Sequence, residues 1–216
     1  MNRNPDAGSP DAGSPDAGRV GAVVLAAGRS RRAGDTNKLL YPVTGEPMLR
    51  RVTRQVVAGG VDDVVVVTGH DRAAVEGALV GLDVSLRHNP AHASGMAGSL
   101  ACGLDALAGH DAVLVCLGDM PDVSPAVIGT LLAAWRAARR RGDERVLLVP
   151  TSNGRRGNPV LVGRAFFARL LALDGDVGAR DVIRTHPEAI REVEVGDGGV
   201  LTDHDTLDEL RALDAR

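Results

Sequence analysis

From Val20 onward, short apolar runs rich in valine and leucine alternate with longer stretches whose apolar positions recur at helical spacing. The runs at 20–26, 64–68, 84–86, 113–117 and 146–149 predict buried strands. The stretches at 47–58, 73–80, 96–108 and 125–140 predict helices. The last of these has a clear start, with Ser124 at the N-cap and Pro125 at the first helical position. Near-continuous apolar strands separated by helices predict an α/β fold, a mostly parallel sheet with helices on both faces. Ligands of such folds bind at the carboxyl ends of the strands.

Beyond Pro150 the alternation loosens. A loop at 151–158 precedes a short strand at 159–162, a helix at 164–173, a strand at 192–195 and a final helix from about Asp205. This mixed C-terminal portion is expected to form the second wall of a cleft. Residues 20–216 then read as one domain. Residues 1–19 stand apart, because Pro-Asp-Ala-Gly-Ser recurs there in near-perfect repeats. Such a composition has no apolar area to bury and predicts a disordered tail.

Composition narrows the function. Aromatic residues make up only 2% of the chain, so its core must be aliphatic. A net charge of −3 argues against a general nucleic-acid or membrane partner. The basic run Arg139, Arg140 and Arg141 reads as the favourable end of a helix dipole. Cys102 and Cys116 lack metal or redox spacing and read as buried free thiols. No run is long enough to span a membrane or resembles a signal peptide, so a cytoplasmic location is expected.

The candidate chemistry begins where the first strand ends, in Leu25-Ala26-Ala27-Gly28-Arg29-Ser30-Arg31-Arg32-Ala33-Gly34 followed by Asn37-Lys38. Small residues after a first strand let backbone N–H groups approach phosphate oxygens, and the arginines and Lys38 add positive charge. Lys38 is the only lysine in the chain, which suggests that an ammonium is needed there. The loop is not a P-loop, since Gly28 and Gly34 are one residue too far apart, and G-x-G-x-x-G is absent. The strand at 113–117 runs into Gly118-Asp119-Met120-Pro121, placing a carboxylate where an α/β fold binds ligands. Asp119 is therefore the candidate ligand for Mg²⁺, which favours oxygen donors and substrate phosphates. Asp122 reads as turn chemistry. In Asp203-His204-Asp205-Thr206-Leu207-Asp208-Glu209, Asp205 with Asp208, or Thr206 with Glu209, reads as helix capping. Asp203 is left as the second expected metal contact.

With those residues assembled, the chain resembles the MobA-like nucleotidyltransferases, and among them the molybdenum cofactor cytidylyltransferases. The signature L-A-A-G-x-S-x-R-x-G is complete at 25–34, with its serine and arginine at Ser30 and Arg32 and its lysine at Lys38. Gly95-Met96-Ala97-Gly98-Ser99-Leu100 matches G-M-x-x-S-L. Gly118-Asp119-Met120-Pro121, Arg156-Gly157-Asn158-Pro159, Gly175-Asp176-Val177-Gly178-Ala179-Arg180 and Asp203-x-Asp205-Thr206 follow in order.

The resemblance implies a Rossmann-like nucleotidyltransferase fold that transfers CMP from CTP to molybdopterin or the molybdenum cofactor and releases pyrophosphate. Lys38, Arg32 and Asp119 would be catalytic. Leu25, Ala26, Ala27, Gly28, Ser30, Arg32, Gly34 and Lys38 would hold the triphosphate, and Gly95, Met96, Ser99 and Leu100 the base and ribose. Mg²⁺ would sit on Asp119 and Asp203, and Arg156, Asn158 and Arg180 would face the acceptor. Ala26-Ala27 stands where the related guanylyltransferases have Gly-Gly, which favours CTP. A molybdoenzyme would be the partner receiving the cofactor. The alternatives are a guanylyltransferase, a nucleotidyltransferase for another small phosphorylated acceptor, or an NAD(P)H-dependent oxidoreductase acting on a heteroaromatic substrate.

Overall fold

The computed structural model describes residues 18–28 and 37–214, apart from the side chains of 207, 208 and 214. The predicted tail, except its last two residues, and the loop residues Ser30, Arg32 and Gly34 lie outside the described residues.

Strand β1 (Val20–Ala26) is the second strand of a parallel set with β4 (Asp63–Thr68), β5 (Ser85–His88) and β6 (Ala112–Leu117). β1 is flanked by β4 and β6, and β5 forms one edge of the sheet. Both faces of β1 are covered, which is why its sequence is apolar without a break. Ala22 and Val24 join a core with Val64, Val66 and Leu114 on one face, while Val23, Val65 and Val113 join a second core on the other. Helices α1 (Met48–Ala58), α2 (Arg72–Ala78) and α4 (Pro125–Arg140) bury Leu49, Val75 and Ile128 in the first core. Helix α3 (Met96–Asp105) buries Leu100 and Leu104 in the second. Each such side chain contributes roughly 1.5–3 kcal/mol through burial. A β2 (Pro42–Val43) to β3 (Glu46–Pro47) hairpin leads into α1.

The second half departs from a simple parallel sheet. β7 (Leu147–Ser152) runs three residues beyond the predicted strand and folds back on β8 (Arg155–Arg156), inside the segment expected to be a loop. β9 (Val160–Gly163) enters the sheet between β6 and β7, antiparallel to both. The predicted helix at 164–173 is a 3-10 turn, Arg164–Phe166, joined to a short α5 (Phe167–Leu171). An unanticipated α6 (Ala179–Thr185) buries Val182 and Ile183 in the second core. β10 (Ile190–Glu194) pairs in parallel with β7 at the far edge. α7 (Leu207–Asp214) packs Leu210 and Leu213 into the first core. The result is a mostly parallel α/β sheet with a mixed C-terminal portion, as the pattern predicts.

Two local expectations are refined. Ser124 holds the N-cap position of α4, but its Oγ donates to Asp197 Oδ2 at 2.8 Å and makes no cap bond. Cys116 is buried and its burial pushes the thiol pKa up, whereas Cys102 is only half-buried. No helix among the described residues is long and apolar enough to cross a membrane.

Candidate active site

Strands β1 and β6 lie side by side in parallel, so their carboxyl ends deliver Ala27-Gly28 and Gly118-Asp119 to the same end of the sheet. The Gly118 N–H donates to the Leu25 carbonyl at 3.1 Å, which ties the two exits together. Lys38 follows in the 3-10 turn Lys38–Leu40, whose N-cap Asn37 accepts a hydrogen bond from the Leu39 N–H at 3.1 Å. That cap turns the lysine side chain toward β6. Its Nζ donates to Asp119 Oδ2 at 2.7 Å and to Asp205 Oδ1 at 2.5 Å.

This triad is only partly exposed: Lys38 retains 12% side-chain exposure, Asp119 22% and Asp205 24%. Burial alone would lower the Lys38 pKa. The charge and hydrogen bond of Asp119, joined by those of Asp205, overcome that effect and raise it above the usual lysine range. Lys38 is therefore an ammonium at neutral pH. The other oxygen of Asp119, Oδ1, is buried and has no hydrogen-bond partner among the described residues. A buried carboxylate oxygen with no donor is costly, and a hard cation is the kind of ligand that would satisfy it.

Lys38 and Asp119 line a cavity of about 520 Å³ together with Leu25, Ala27 and Gly28. Its opposite wall carries Gly95, Met96 and Ser99 at the start of α3. The positive end of that helix dipole thus faces the cavity, which suits an anion. Buried Asn89 fixes this wall. Its N–H donates to the Thr68 carbonyl at 2.8 Å, its side-chain amide to Ser99 Oγ at 3.0 Å, and its Oδ1 accepts from the Ala91 N–H at 3.0 Å.

Gly95 has a conformation, φ 130° and ψ 178°, that is essentially open only to glycine. A Cβ there would also overlap the Gly175 backbone. The Ala97 N–H donates to the Gly175 carbonyl at 3.1 Å, so the G-M-x-x-S-L segment and the G-D-V-G-A-R segment are pressed together. Gly95→Ala is expected to destabilise the fold by about 1–3 kcal/mol through strain alone. Urea unfolding monitored by circular dichroism would measure it.

Several predicted residues sit elsewhere. Ala26 and Leu100 belong to the two cores, so only their backbone neighbours reach the cavity. Arg156 pairs with Glu192 at 2.7 Å, Asn158 is buried, and Arg180 is exposed on α6; none of the three lines the cavity. Asp203, expected as the second metal contact, is exposed and also outside the lining, while Asp205 takes its place beside Lys38. The reason lies in the cap. Glu209 Oε2 accepts from the N–H groups of Asp205 and Thr206, and Thr206 Oγ1 accepts from that of Glu209. Those backbone hydrogen bonds, Thr206 first, hold the Glu209 carboxyl below its usual range. Of the two capping pairs the sequence offered, Thr206 with Glu209 is the one formed, and the Asp205 carboxylate lines the cavity.

The cavity also takes His92 and Asp176. Nothing in their sequence surroundings marks His92, whereas Asp176 was visible as a member of the G-D-V-G-A-R segment.

Comparison with known proteins identifies the family. Over 197 residues the chain is 28% identical to nicotine blue oxidoreductase of Paenarthrobacter nicotinovorans, covering 90% of this chain and 96% of that protein. It is 36% identical over 162 residues to the bifunctional protein GlmU of Dinoroseobacter shibae, covering 72% of this chain but 35% of that longer protein. Rv0371C of Mycobacterium tuberculosis H37Rv, solved in complex with manganese, superposes with a TM-score of 0.69 at 28% identity, covering 90% of this chain and 97% of that one. The model of the MobA-like NTP transferase domain matches residues 22–190. The chain belongs to the MobA-like NTP transferase family.

Proposed function

We propose that this chain transfers CMP from CTP to molybdopterin or the molybdenum cofactor and releases pyrophosphate. The observation that carries this reading is the convergence of Lys38, Asp119 and Asp205 on one cavity wall. Ala26-Ala27 in place of Gly-Gly supports CTP over GTP.

In the proposed reaction a terminal phosphate oxygen of the acceptor attacks the α-phosphorus of CTP. The bond from the α-phosphorus to the bridging oxygen breaks, and that oxygen leaves with its electron pair as part of pyrophosphate. A phosphate monoester is already anionic, so no general base is required. The barrier is repulsion between anions, which positioning and fixed charge must lower. The Lys38 ammonium supplies a compact positive charge for the polyphosphate. The backbone of Ala27-Gly28 lets phosphate oxygens approach closely, and the start of α3 adds its dipole. Asp119 Oδ1 and the Asp205 carboxylate would hold a divalent cation, Mg²⁺ in the cell, in keeping with the manganese bound by the related Rv0371C. When bound, that cation would neutralise charge at the reacting phosphate. Arg32, Ser30 and Gly34 are proposed to complete the triphosphate grip. These substrates place the reaction in the cytoplasm, and a molybdoenzyme is the proposed recipient of the product.

Pyrophosphate release, measured with each of the four nucleoside triphosphates, Mg²⁺ and molybdopterin, tests the proposal. CTP is expected to give the fastest release and a product with the mass of the cytidine dinucleotide. A GTP preference would instead support the guanylyltransferase reading. The likeness to nicotine blue oxidoreductase favours a second reading, an oxidoreductase, in the form the sequence left open, NAD(P)H-dependent and acting on a heteroaromatic compound. Oxidation of NAD(P)H by such a compound, with no pyrophosphate from any nucleotide, would favour it.

A further inference from the structure

Asp205 reaches the site from the C-terminal segment, and that segment is fastened to the turn after β6 at several points. Asp197 Oδ2 accepts from Ser124 Oγ at 2.8 Å. Gly199 packs so closely on the Asp122 carbonyl that a Cβ would overlap it. The His204 N–H donates to the Asp119 carbonyl at 3.1 Å. The His204 imidazole, 5% exposed, meets Asp122 Oδ2 through Nε2 at 3.0 Å.

A carboxylate only accepts, so His204 Nε2 carries the proton and donates. The other ring nitrogen, Nδ1, is buried without a partner among the described residues. An aliphatic side chain could fill this space without burying an unmatched polar atom, which costs free energy. The directional contact with Asp122 is therefore what the histidine contributes. It grips the turn three residues after Asp119 from a position one residue before Asp205.

We propose that His204 is a positioning residue which, clamped on Asp122, fixes the spacing between the Asp119 and Asp205 carboxylates for the divalent cation. This rests on the reading of those two carboxylates as the cation site. Neither His204 nor Asp122 lines the cavity, so both act only through the residues beside them. Displacements of even 1 Å or so in such a pair have large effects on a site that works by position.

The test measures Mn²⁺ binding to the full chain without added nucleotide, by loss of the free-ion paramagnetic resonance signal. The proteins compared are the wild type, His204→Leu, His204→Gln and Asp119→Asn. His204→Leu is expected to weaken Mn²⁺ binding roughly 10-fold, the scale of outer-shell changes around metal sites. It should raise the Mg²⁺ concentration needed for half-maximal pyrophosphate release while leaving the rate at saturating Mg²⁺ close to wild type. His204→Gln, whose amide can donate to Asp122, should recover most of the loss although its melting temperature matches that of the leucine variant. Wild-type binding by His204→Leu alongside lost binding by Asp119→Asn overturns the positioning role alone. Equal losses in the leucine and glutamine variants also overturn it, since the contact with Asp122 would then not matter. Undetectable binding by the wild type, or undiminished binding by Asp119→Asn, overturns the cation site itself and the proposal with it.

Discussion

Asp119→Asn is expected to fold normally and to lose roughly 10²–10³-fold in pyrophosphate release at saturating CTP, the scale of one preorganised electrostatic contact. The substitution is nearly isosteric, and the asparagine carbonyl can still accept from the Lys38 ammonium. The fold should therefore survive, as a melting curve would show. What disappears is negative charge at Asp119 Oδ1, which is buried and has no donor among the described residues. A neutral amide there is a poor ligand for a hard cation, and its N–H₂ alternative would repel one. Near-normal turnover by this variant would exclude Asp119 as the cation ligand.

Lys38→Ala should be comparably damaging to turnover and should also lower stability. With the ammonium gone, Asp119 and Asp205 are left facing a cavity without the charge that now joins them. Breaking one partner out of a shielded ion cluster leaves the remaining charges uncompensated. The melting temperature in metal-free buffer should therefore fall. Added Mg²⁺ should restore part of it, because a ligand that binds only the folded state stabilises that state. The pH dependence has a definite sign. The Lys38 pKa is raised in the folded chain, so its contribution is complete below the usual lysine range and fades only as pH rises through the raised value. The stability difference between wild type and variant should thus be flat from pH 7 to pH 9 and shrink at higher alkalinity. Lys38→Arg should rescue turnover only in part, since a planar fork cannot occupy the point held by an ammonium. Full rescue would show that charge alone, and not its placement, matters at this position.

Much of the fold could be read from the chain because its central strands are buried on both sides. β1 has the predicted bounds, and β4 and β6 begin within one residue of theirs, since two-sided burial writes itself into an unbroken apolar run. β5 was harder. It lies at the edge, largely exposed, and its bounds follow its pairing with β4 more than its own apolarity. The reversal of β9 could not be read at all. Its Val160-Leu161-Val162 run would look the same in either direction, and only the hairpin-like return from β7 sets the sense.

The site divides in the same way. Lys38 and Asp119 stood out because one is compositionally singular and the other ends a strand. Asp205 was harder to single out because two capping pairs fit the spacing, Asp205 with Asp208 and Thr206 with Glu209, and only the fold shows that the second is formed. His92 enters through a 3-10 turn, His92–Ser94, that carries no motif.

Lys38 and Asp205 meet across 167 positions of sequence. A chain under synthesis therefore has its central strands long before it has its complete charge cluster, and no segment ending ahead of residue 205 contains it. Every protein molecule is translated through residue 205 before the third member of the cluster can dock. Nascent chains stalled or cleaved upstream of that point would carry Lys38 and Asp119 with one acidic side chain of the cluster missing.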